Sequence, residues 1–386
     1  MSIQELLSRK LEGIDPAKYA KTRNYVSGGV TELGPFISRG IIDTRWVWEH
    51  LLKKGYDFDV MYGFVQQLAW RDFFQRVWQQ RGEGINLDIR RNQEGVEHKN
   101  IPSAIASGAT GIEGIDLGIG GLLNSGLMHN HIRMYTAFLS CNLGKSHWHL
   151  SAQWMYSHLL DGDWGSNALS WQWVAGTFSN KKYIANQENI NRFTDTNQNG
   201  TYLDKPYEEL LESKIPNQLM ELTGMEDVLP YSECDEDAML STAKEHGLKT
   251  LTKIDLDGVD SVSLFNYYQL SFQWQSAISS LPILLLEPSV FKRYPISKKC
   301  LDFMCSVAKE IPGMRVFVGE FCALEKVLNG CEVHFREHPL NLYYQGQIHQ
   351  RNWLAPEVEG EFSSFFSYWK KVEKSLRREY KEYRGN

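Results

Sequence analysis

The stretch from Leu159 to Trp173, LLDGDWGSNALSWQW, places an acid–glycine–acid turn ahead of an asparagine and two tryptophans. Tryptophan is bulky and scarce, and packing alone rarely demands Trp171 and Trp173 so soon after Asp161 and Asp163. Two interpretations follow from the stretch itself. It is either a crowded corner of the core or a site for a flat aromatic ligand.

Apolar residues before about residue 250 recur at steps of three and four, which predicts helices. Two sets carry this prediction: Val60, Phe64, Leu68 and Phe74 in VMYGFVQQLAWRDFFQRVWQQ, and Leu150, Trp154, Met155 and Leu159 just before the opening stretch. The second helix is expected to end near Gly162, because glycine commonly follows the last helical turn.

The composition sets limits on function. A chain of 386 residues has room for two domains. The net charge of -6 speaks against capture of nucleic acid by overall electrostatics, although a local basic groove stays open. No apolar run is long enough for a membrane span or a secretory signal, so a cytoplasmic protein is expected. The six cysteines form no C-x-x-C pair, so neither a metal site nor disulfides are predicted.

The pattern changes in the last third of the chain. An acid-rich segment at 226–260 predicts a linker between a helical domain at 1–225 and a smaller unit at 261–386. In that unit LPILLLEP, MRVFVGEF and CEVHFREHP are predicted strands, and SKKCLDFMCSVAKEI is a predicted helix. The alternation predicts a small α/β unit with parallel strands, followed by a charged C-terminal helix. The predicted fold class is therefore mostly α with a small C-terminal α/β extension.

Three further stretches can carry chemistry. GGVTELGPFISRG at 28–40 can offer backbone N–H groups and a hydroxyl to an anion, or be an ordinary turn. Gln67, Trp70 and Arg71 share one face of a predicted helix, where they can grip a base or simply join the core. In MHNHIRMYTAF, Arg133 can pair with Asp161 or Asp163 once the helices pack.

Taken together, MHNHIRM and HWHLSAQWMYSHLLDGDWGSNALSWQWVAGT resemble the flavin-binding helical domain of the photolyase/cryptochrome family. That family has a motif of the kind M-H-N-R-x-R-M, followed by D-G-D-x-x-x-N-x-x-x-W-Q-W. QQLAWRDFF resembles its x-E-L-x-W-R-E-F-Y helix, and GGVTELGPFISRG resembles its phosphate loop. The resemblance covers about residues 15–195 and implies FAD as the cofactor.

The resemblance implies a role for each matching residue. The expected FAD-binding residues are Tyr19, Val30, Thr31, Glu32, Leu33, Gly34, Arg71, Arg133, Asp161, Gly162, Asp163 and Asn167. Within this set Asn167 is expected to face flavin N5. Trp171 is expected to be the nearest electron donor and Trp148 the next. The expected DNA- and lesion-binding residues are Arg23, Gln67, Trp70, Asn130, His131, Met134 and Trp173.

This sequence departs from the family at several of those positions. Val30 and Gly34 stand where hydroxyl residues are expected, Gln67 replaces a glutamate that assists repair, and His131 replaces an arginine that contacts DNA phosphate. No tryptophan lies between Arg90 and Asn130, where the outer electron donor is expected; Trp154 or a tyrosine can substitute for it, or the electron chain can be shorter. The family's N-terminal antenna domain is not at the start of this chain. The C-terminal α/β unit of this chain either resembles part of such an antenna domain or is an unrelated extension.

Three functional readings remain open from the sequence. The first is a deoxyribodipyrimidine photolyase, a lyase in which reduced FAD repairs pyrimidine dimers in DNA under blue light. The second is a blue-light flavin photoreceptor of the cryptochrome kind that signals to a protein partner without repair. The third is a relative that no longer binds FAD.

Overall fold

The computed structural model describes residues 2–277, 279–328 and 330–385. The helices of the described chain are α1 (Ile3–Glu12), α2 (Pro16–Thr22), α3 (Gly34–Ser38), α4 (Thr44–Lys53), α5 (Phe58–Arg81), α6 (Ser103–Ser107), α7 (Glu113–Ser125), α8 (Asn130–Phe138), α9 (Trp148–His158), α10 (Trp164–Ala175), α11 (Gln187–Thr194), α12 (Tyr207–Glu212), α13 (Met225–Val228), α14 (Glu236–Glu245), α15 (Phe272–Ala277), α16 (Pro288–Arg293), α17 (Lys298–Lys309), α18 (Phe321–Leu328) and α19 (Phe365–Gly385).

The strands are short and form two sheets. In chain order they are β1 (Ile101–Pro102), β2 (Leu222–Thr223), β3 (Lys249–Thr250), β4 (Ser261–Phe265), β5 (Leu281–Leu286), β6 (Arg315–Val318), β7 (Glu332–Arg336) and β8 (Gln347–His349). β1 pairs with β2 antiparallel. The other six form one parallel sheet in the order β3-β6-β5-β4-β7-β8. The predicted fold class, mostly α with a parallel α/β part, is confirmed.

The chain folds into two compact units, each built from separate segments. Unit 1 comprises Met1–Ala20, Thr31–Gln80 and Tyr231–Asn386, and unit 2 comprises Lys21–Val30 and Arg81–Pro230. The first part of the predicted helical domain therefore belongs to the same unit as the parallel sheet. The acid-rich segment 226–260, for which composition predicts a linker, carries α14 and β3.

The long helix α5 in unit 1 is confirmed, but its predicted apolar face is only partly right. Phe64 and Leu68 are buried, whereas Val60 is 38% exposed and Phe74 is only half-buried. The buried side chains of α5 also include the charged Asp72 and Arg76. Residues from more than one side of this helix are covered, so a single apolar stripe could not describe it.

The centre of the parallel sheet includes a strand that the sequence analysis did not single out. β4 reads SVSLF and lies between β5 and β7, with Val262, Leu264 and Phe265 buried. Its two serines interrupt the continuous apolar run that is expected of a buried parallel strand. Ser263 is fully buried and receives a hydrogen bond from the hydroxyl of Ser280 at 2.9 Å, which satisfies it inside the core.

In unit 1, Asp72 on α5 joins three segments through one buried carboxylate. One carboxylate oxygen accepts from the Thr44 hydroxyl at 2.8 Å, and the other accepts from the Leu354 N–H at 2.7 Å. Burial raises the pKa of Asp72 to about 6, even though these two donors favour the ionised form. The raised pKa shows that removal from water outweighs the two hydrogen bonds.

This pKa predicts that Asp72 makes unit 1 less stable as the pH rises. Between about pH 4 and pH 6 the folded chain retains a proton that the unfolded chain has released, so stability falls with rising pH. Relative to Asp72→Asn, the wild-type free energy of unfolding should fall by roughly 3 kcal/mol between pH 3.5 and pH 7. Urea unfolding across this range measures the difference. Asp59→Asn, at a side chain 87% exposed, is the control, and parallel curves for Asp72→Asn and wild type would contradict the prediction.

In unit 2, helices α7 and α8 approach closely at a glycine. A Cβ built on Gly118 would lie 2.5 Å from Cγ2 of Ile132, whereas a Cβ on Gly120 would meet no heavy atom within 4 Å. The two glycines lie in the interior of the same helix. They therefore form a matched pair in which only the packing differs.

We expect Gly118→Ala to lower the free energy of unfolding by about 1–2 kcal/mol, because overpacking outweighs the better helix propensity of alanine. Gly120→Ala should raise it by about 0.5–1 kcal/mol through propensity alone. Denaturant unfolding of the two variants provides the comparison. Equal shifts of the same sign would show that α7 and α8 are not packed as described.

None of the helices in the described ranges combines the length and the apolar character that crossing a bilayer requires.

Candidate functional site

The residues singled out in the sequence are divided between the two units. Those in unit 2 are Arg23, Val30, Asn130, His131, Arg133, Met134, Trp148, Asp161, Gly162, Asp163, Asn167, Trp171 and Trp173. Those in unit 1 are Tyr19, Thr31, Glu32, Leu33, Gly34, Gln67, Trp70 and Arg71. Each set is described within its own unit.

The acid–glycine–acid turn in unit 2 ends α9 and starts α10. Asp163 is the N-cap of α10, and its carboxylate accepts from the Ser166 N–H at 2.7 Å. Gly162 allows the chain to pass close to α9, because a Cβ there would lie 2.9 Å from the carbonyl oxygens of both Tyr156 and Leu159. The turn is therefore fixed by local chemistry that the sequence displays.

Arg133 on α8 pairs with Asp161, one of the two partners expected from the sequence. Its Nη2 lies 2.8 Å and 3.0 Å from the two carboxylate oxygens, and its Nε donates to the Met128 carbonyl at 3.0 Å. Both side chains are largely buried, with 23% and 12% exposed. An ion pair removed from water to this extent holds its geometry firmly and adds little net stability.

Asn167 and Trp171 lie one turn apart on α10, and both are buried. The Asn167 amide nitrogen donates to the Ala152 carbonyl at 2.8 Å, which leaves its oxygen Oδ1 as an acceptor. The Trp171 indole nitrogen is buried without a hydrogen-bond partner. A buried donor of this kind is uncommon, and it fits a site that a polar aromatic ligand completes.

Trp148 begins α9 and is fully buried. Its Nε1 donates to a carboxylate oxygen of Asp88 at 2.7 Å. Trp164 lies close by, with ring centroids 6.5 Å apart, and its Nε1 donates to the amide oxygen of Asn86 at 2.9 Å. Two buried indoles therefore lie side by side with acceptors of different chemistry.

The residues expected to meet DNA in unit 2 differ in how available they are. Trp173 is 40% exposed and Asn130 is exposed. The His131 ring stacks on Tyr135 at 5.1 Å, and its Nδ1 lies 2.8 Å from the Asn24 carbonyl oxygen. Burial lowers the pKa of His131, so this residue does not supply the positive charge of the arginine it replaces.

Three other predicted residues in unit 2 are on its surface or partly buried. Met134 is half-buried, and the Asn130 amide points at its sulfur, 4.0 Å away. Arg23 is half-buried, and Val30 is 40% exposed.

The loop predicted to hold phosphates uses its own polar groups internally. The Thr31 hydroxyl accepts from the Leu33 N–H at 3.4 Å, and the Glu32 carboxylate pairs with Lys10. Glu32 has a positive φ of 52°, which is unusual for a residue with a side chain. The helix that starts at Gly34 is only five residues long.

The predicted cluster on α5 in unit 1 is held by neighbours of its own unit. Trp70 stacks face to face on Phe365 of α19, with centroids 3.6 Å apart and planes 8° apart. Arg71 donates to the Ser38 hydroxyl at 3.1 Å, and the Tyr19 ring lies edge-on to Phe64 at 4.9 Å. Gln67 is half-buried. One face of Trp70 is therefore occupied by the C-terminal helix.

Sequence reasoning missed the partners that lie far away along the chain. Asp88 precedes Trp148 by 60 residues, and Phe365 follows Trp70 by 295. Trp164 lies inside the opening stretch but was given no role. No local pattern marks such contacts, since they depend on packing between distant elements. The only available signal was the residue type, an acid or an aromatic ring in a segment without regular periodicity.

Comparison with known proteins finds relatives for part of this chain. Residues 64–225 match the model described as the FAD binding domain of DNA photolyase. A deoxyribodipyrimidine photo-lyase of Alkalihalophilus pseudofirmus is 29% identical over 207 residues, which are 52% of this chain and 42% of that protein. A cryptochrome DASH of Danio rerio is 28% identical over 208 residues, 50% of this chain and 39% of that protein.

Among solved structures, a cryptochrome of Synechocystis sp. is 23% identical to this chain, with a TM-score of 0.43. The match covers 50% of this chain and 43% of that one. The chain therefore spans less than half the length of these relatives. The matched segment bears out the expected family and the expected cofactor, FAD.

Proposed function

We propose that this chain, whose residues 64–225 match the FAD binding domain of DNA photolyase, repairs pyrimidine dimers in DNA by light-driven electron transfer. When bound, FAD supplies one-electron chemistry powered by absorbed light. The observation that carries the proposal is the arrangement on and beside α10. There the ion pair of Arg133 with Asp161, the amide of Asn167 and the unpartnered indole of Trp171 belong to one unit.

Each of these residues has a task in the proposed reaction. Arg133 and Asp161 would hold the flavin ring, and Asn167 would present Oδ1 as an acceptor for an N–H group of that ring. Trp171 gives up one electron and regains it from Trp148. Asn167, Trp171 and Trp148 are buried and the Arg133–Asp161 pair is largely shielded from solvent, so water is mostly excluded and the charges interact more strongly than on the surface. Trp173 and Asn130 contact the extruded base, which must leave the DNA stack to come within reach.

Two measurements test this proposal. The absorption spectrum of the purified full chain, taken before and after blue light with a thiol reductant, should show flavin bands that bleach. Duplex or single-stranded DNA with a cyclobutane dimer should then be repaired in blue light and not in the dark. A colourless protein that takes up no added FAD would overturn the proposal.

A second candidate function is a flavin photoreceptor that signals to a protein partner. Specific observations in each unit favour it. His131 is packed against Tyr135 with a lowered pKa, and one face of Trp70 is covered by Phe365. Both features weaken the case for DNA binding. Bleaching of the flavin by light without any repair of dimer-containing DNA would support this alternative.

Gln67→Glu separates a weak repair enzyme from a protein without repair. Glutamine keeps a hydrogen bond to a lesion but has no acidic proton to share with it. If repair takes place and Gln67 limits it, glutamate should raise the rate by roughly 100-fold or more, within the range of general acid catalysis. Gln66→Glu, one position away on the same helix, is the control. An unchanged rate in Gln67→Glu would remove this residue from the mechanism.

A further inference from the structure

We propose that Asp88 is the proton acceptor of Trp148, so that loss of an electron from this indole is coupled to loss of its N–H proton. The inference rests on the proposed function in one respect, because it takes Trp148 to be an electron donor. It adds a residue that lies 60 positions away from Trp148 in the sequence and outside every motif discussed above.

The contact has the geometry of a proton-transfer path. The Trp148 Nε1–H donates to Asp88 Oδ1 at 2.7 Å, which is short for a hydrogen bond from nitrogen. The indole is fully buried, and the Asp88 side chain is 16% exposed. The carboxylate therefore contacts a buried redox-active ring and also reaches solvent.

Two other groups hold the carboxylate in place. Asp88 Oδ2 accepts from the Gln93 N–H at 2.7 Å, and Gln93 Oε1 accepts from the Trp148 backbone N–H at 2.9 Å. Gln93 thus fixes the acid and the indole relative to one another. His147 Nε2 lies 3.3 Å from Asp88 Oδ1.

The tautomer of His147 follows from its other contact. Its Nδ1 accepts from the His149 N–H at 3.3 Å, so in the neutral ring the proton is on Nε2, facing Asp88. The carboxylate is therefore surrounded by N–H donors, an arrangement that suits its ionised, acceptor-only form. That is the form able to receive a proton.

The step balances in electrons and protons. A one-electron oxidant removes one electron from the Trp148 indole; in the proposed function this oxidant would be light-excited flavin, acting by way of Trp171. The resulting cation radical is a far stronger acid than neutral indole. Its Nε1–H bond breaks, and the proton forms an O–H bond on Asp88. The products are a neutral tryptophan radical and a neutral carboxylic acid. When a reductant returns the electron, the proton returns to Nε1.

Trp164 provides a contrast inside the same unit. It is also fully buried and lies 6.5 Å from Trp148, but its Nε1 donates to the amide oxygen of Asn86. A neutral amide is too weak a base to hold the proton of the cation radical. The indole nitrogen of Trp171 is buried without an acceptor. Of these three tryptophans, Trp148 is the one that can trap the oxidised state as a neutral radical.

The trap has a functional consequence. Once the proton has moved, an electron can return to Trp148 only if the proton returns as well, and this slows the back reaction. An electron chain without the outer tryptophan expected from the family can still separate charge for a useful time. By accepting the proton of the second donor, Trp148, Asp88 slows the return of the electron in place of that outer tryptophan.

The experiment uses the full chain without flavin, so its result does not depend on FAD binding or on repair. An ultraviolet laser flash ejects an electron from tryptophan into water, and transient absorption distinguishes the cation radical from the neutral radical. The wild-type signal minus that of Trp148→Phe isolates Trp148, and subtraction of Trp164→Phe isolates Trp164. We expect Trp148 to appear as the neutral radical while Trp164 remains a cation radical for longer.

Asp88→Asn keeps the size of the side chain and removes the base, and it should slow deprotonation of Trp148 roughly 100-fold. Asn86→Asp is an independent variant that gives Trp164 a carboxylate and should speed its deprotonation. It keeps the test decisive if Asp88→Asn does not fold by circular dichroism. Equal deprotonation rates for Trp148 and Trp164 in the wild type, or rates unaffected by these substitutions, would overturn the proposal. A repair-inactive protein with the expected radical kinetics would instead overturn only the proposed function.

Discussion

Replacing Asp161 with alanine is expected to abolish FAD binding and to lower the free energy of unfolding by about 3 kcal/mol. The variant leaves the Arg133 guanidinium largely buried, with only the Met128 carbonyl as a polar partner among the contacts described above. An unpaired charge in this setting is unfavourable even where the intact pair contributes little. This loss of stability is at the lower end of the range for removing one partner of a buried ion pair, because 23% of the Arg133 side chain still reaches solvent.

Two measurements follow for this variant. Visible absorption after reconstitution with FAD reports binding, and denaturant unfolding reports stability. Asp59→Ala is the matched control, since Asp59 also pairs with an arginine, Arg377, but is 87% exposed. It should change the free energy of unfolding by less than about 1 kcal/mol. A variant at Asp161 that binds FAD normally and unfolds like wild type would remove the ion pair from the site.

Replacing Trp171 with phenylalanine is expected to slow light-driven reduction of bound FAD by roughly 100-fold, equivalent to about 2.7 kcal/mol in the barrier. Phenylalanine is a much poorer one-electron donor than tryptophan, yet its ring fills most of the buried volume that the Trp171 indole occupies. FAD binding should therefore survive. The Trp171 indole nitrogen has no hydrogen-bond partner, so its removal leaves no buried acceptor without a donor.

The rate at which flavin absorption bleaches under blue light with a thiol reductant tests this expectation. Trp48→Phe is the control for the general effect of losing a buried tryptophan, because Trp48 is fully buried on α4 and donates to Glu379. It should leave the bleaching rate unchanged at a similar loss of stability. Equal bleaching rates in Trp171→Phe and wild type would show that electrons reach the flavin by another route.

Short-range features of the fold follow from the sequence because their causes lie within a few residues. Asp163 caps α10 through a hydrogen bond to Ser166, and Gly162 permits the close turn after α9. Three predicted strands and the helix at Lys298–Lys309 were recognisable from apolar runs and helical periodicity. The Arg133–Asp161 pair was also within reach, since opposite charges flank two consecutive predicted helices.

Features that depend on distant contacts were not recognisable. The central strand β4 was hidden because its buried Ser263 is satisfied by Ser280, a partner that only packing supplies. Val60 was predicted to lie on the buried face of α5 but is exposed, because α5 is covered on more than one side and a single stripe does not describe it. Trp70 looked available for a base, but α19 brings Phe365 onto its ring.

By itself the sequence determined the helical pattern, the family motif and its cofactor, because these depend on local spacing and residue type. Only the tertiary structure decided which acceptor each buried tryptophan meets. Nothing in the sequence indicates which acceptor Trp148 or Trp164 meets, yet one donates to a carboxylate and the other to an amide. Desolvation and hydrogen bonding act on whatever the fold brings within 3 Å, and the chain order does not reveal those neighbours.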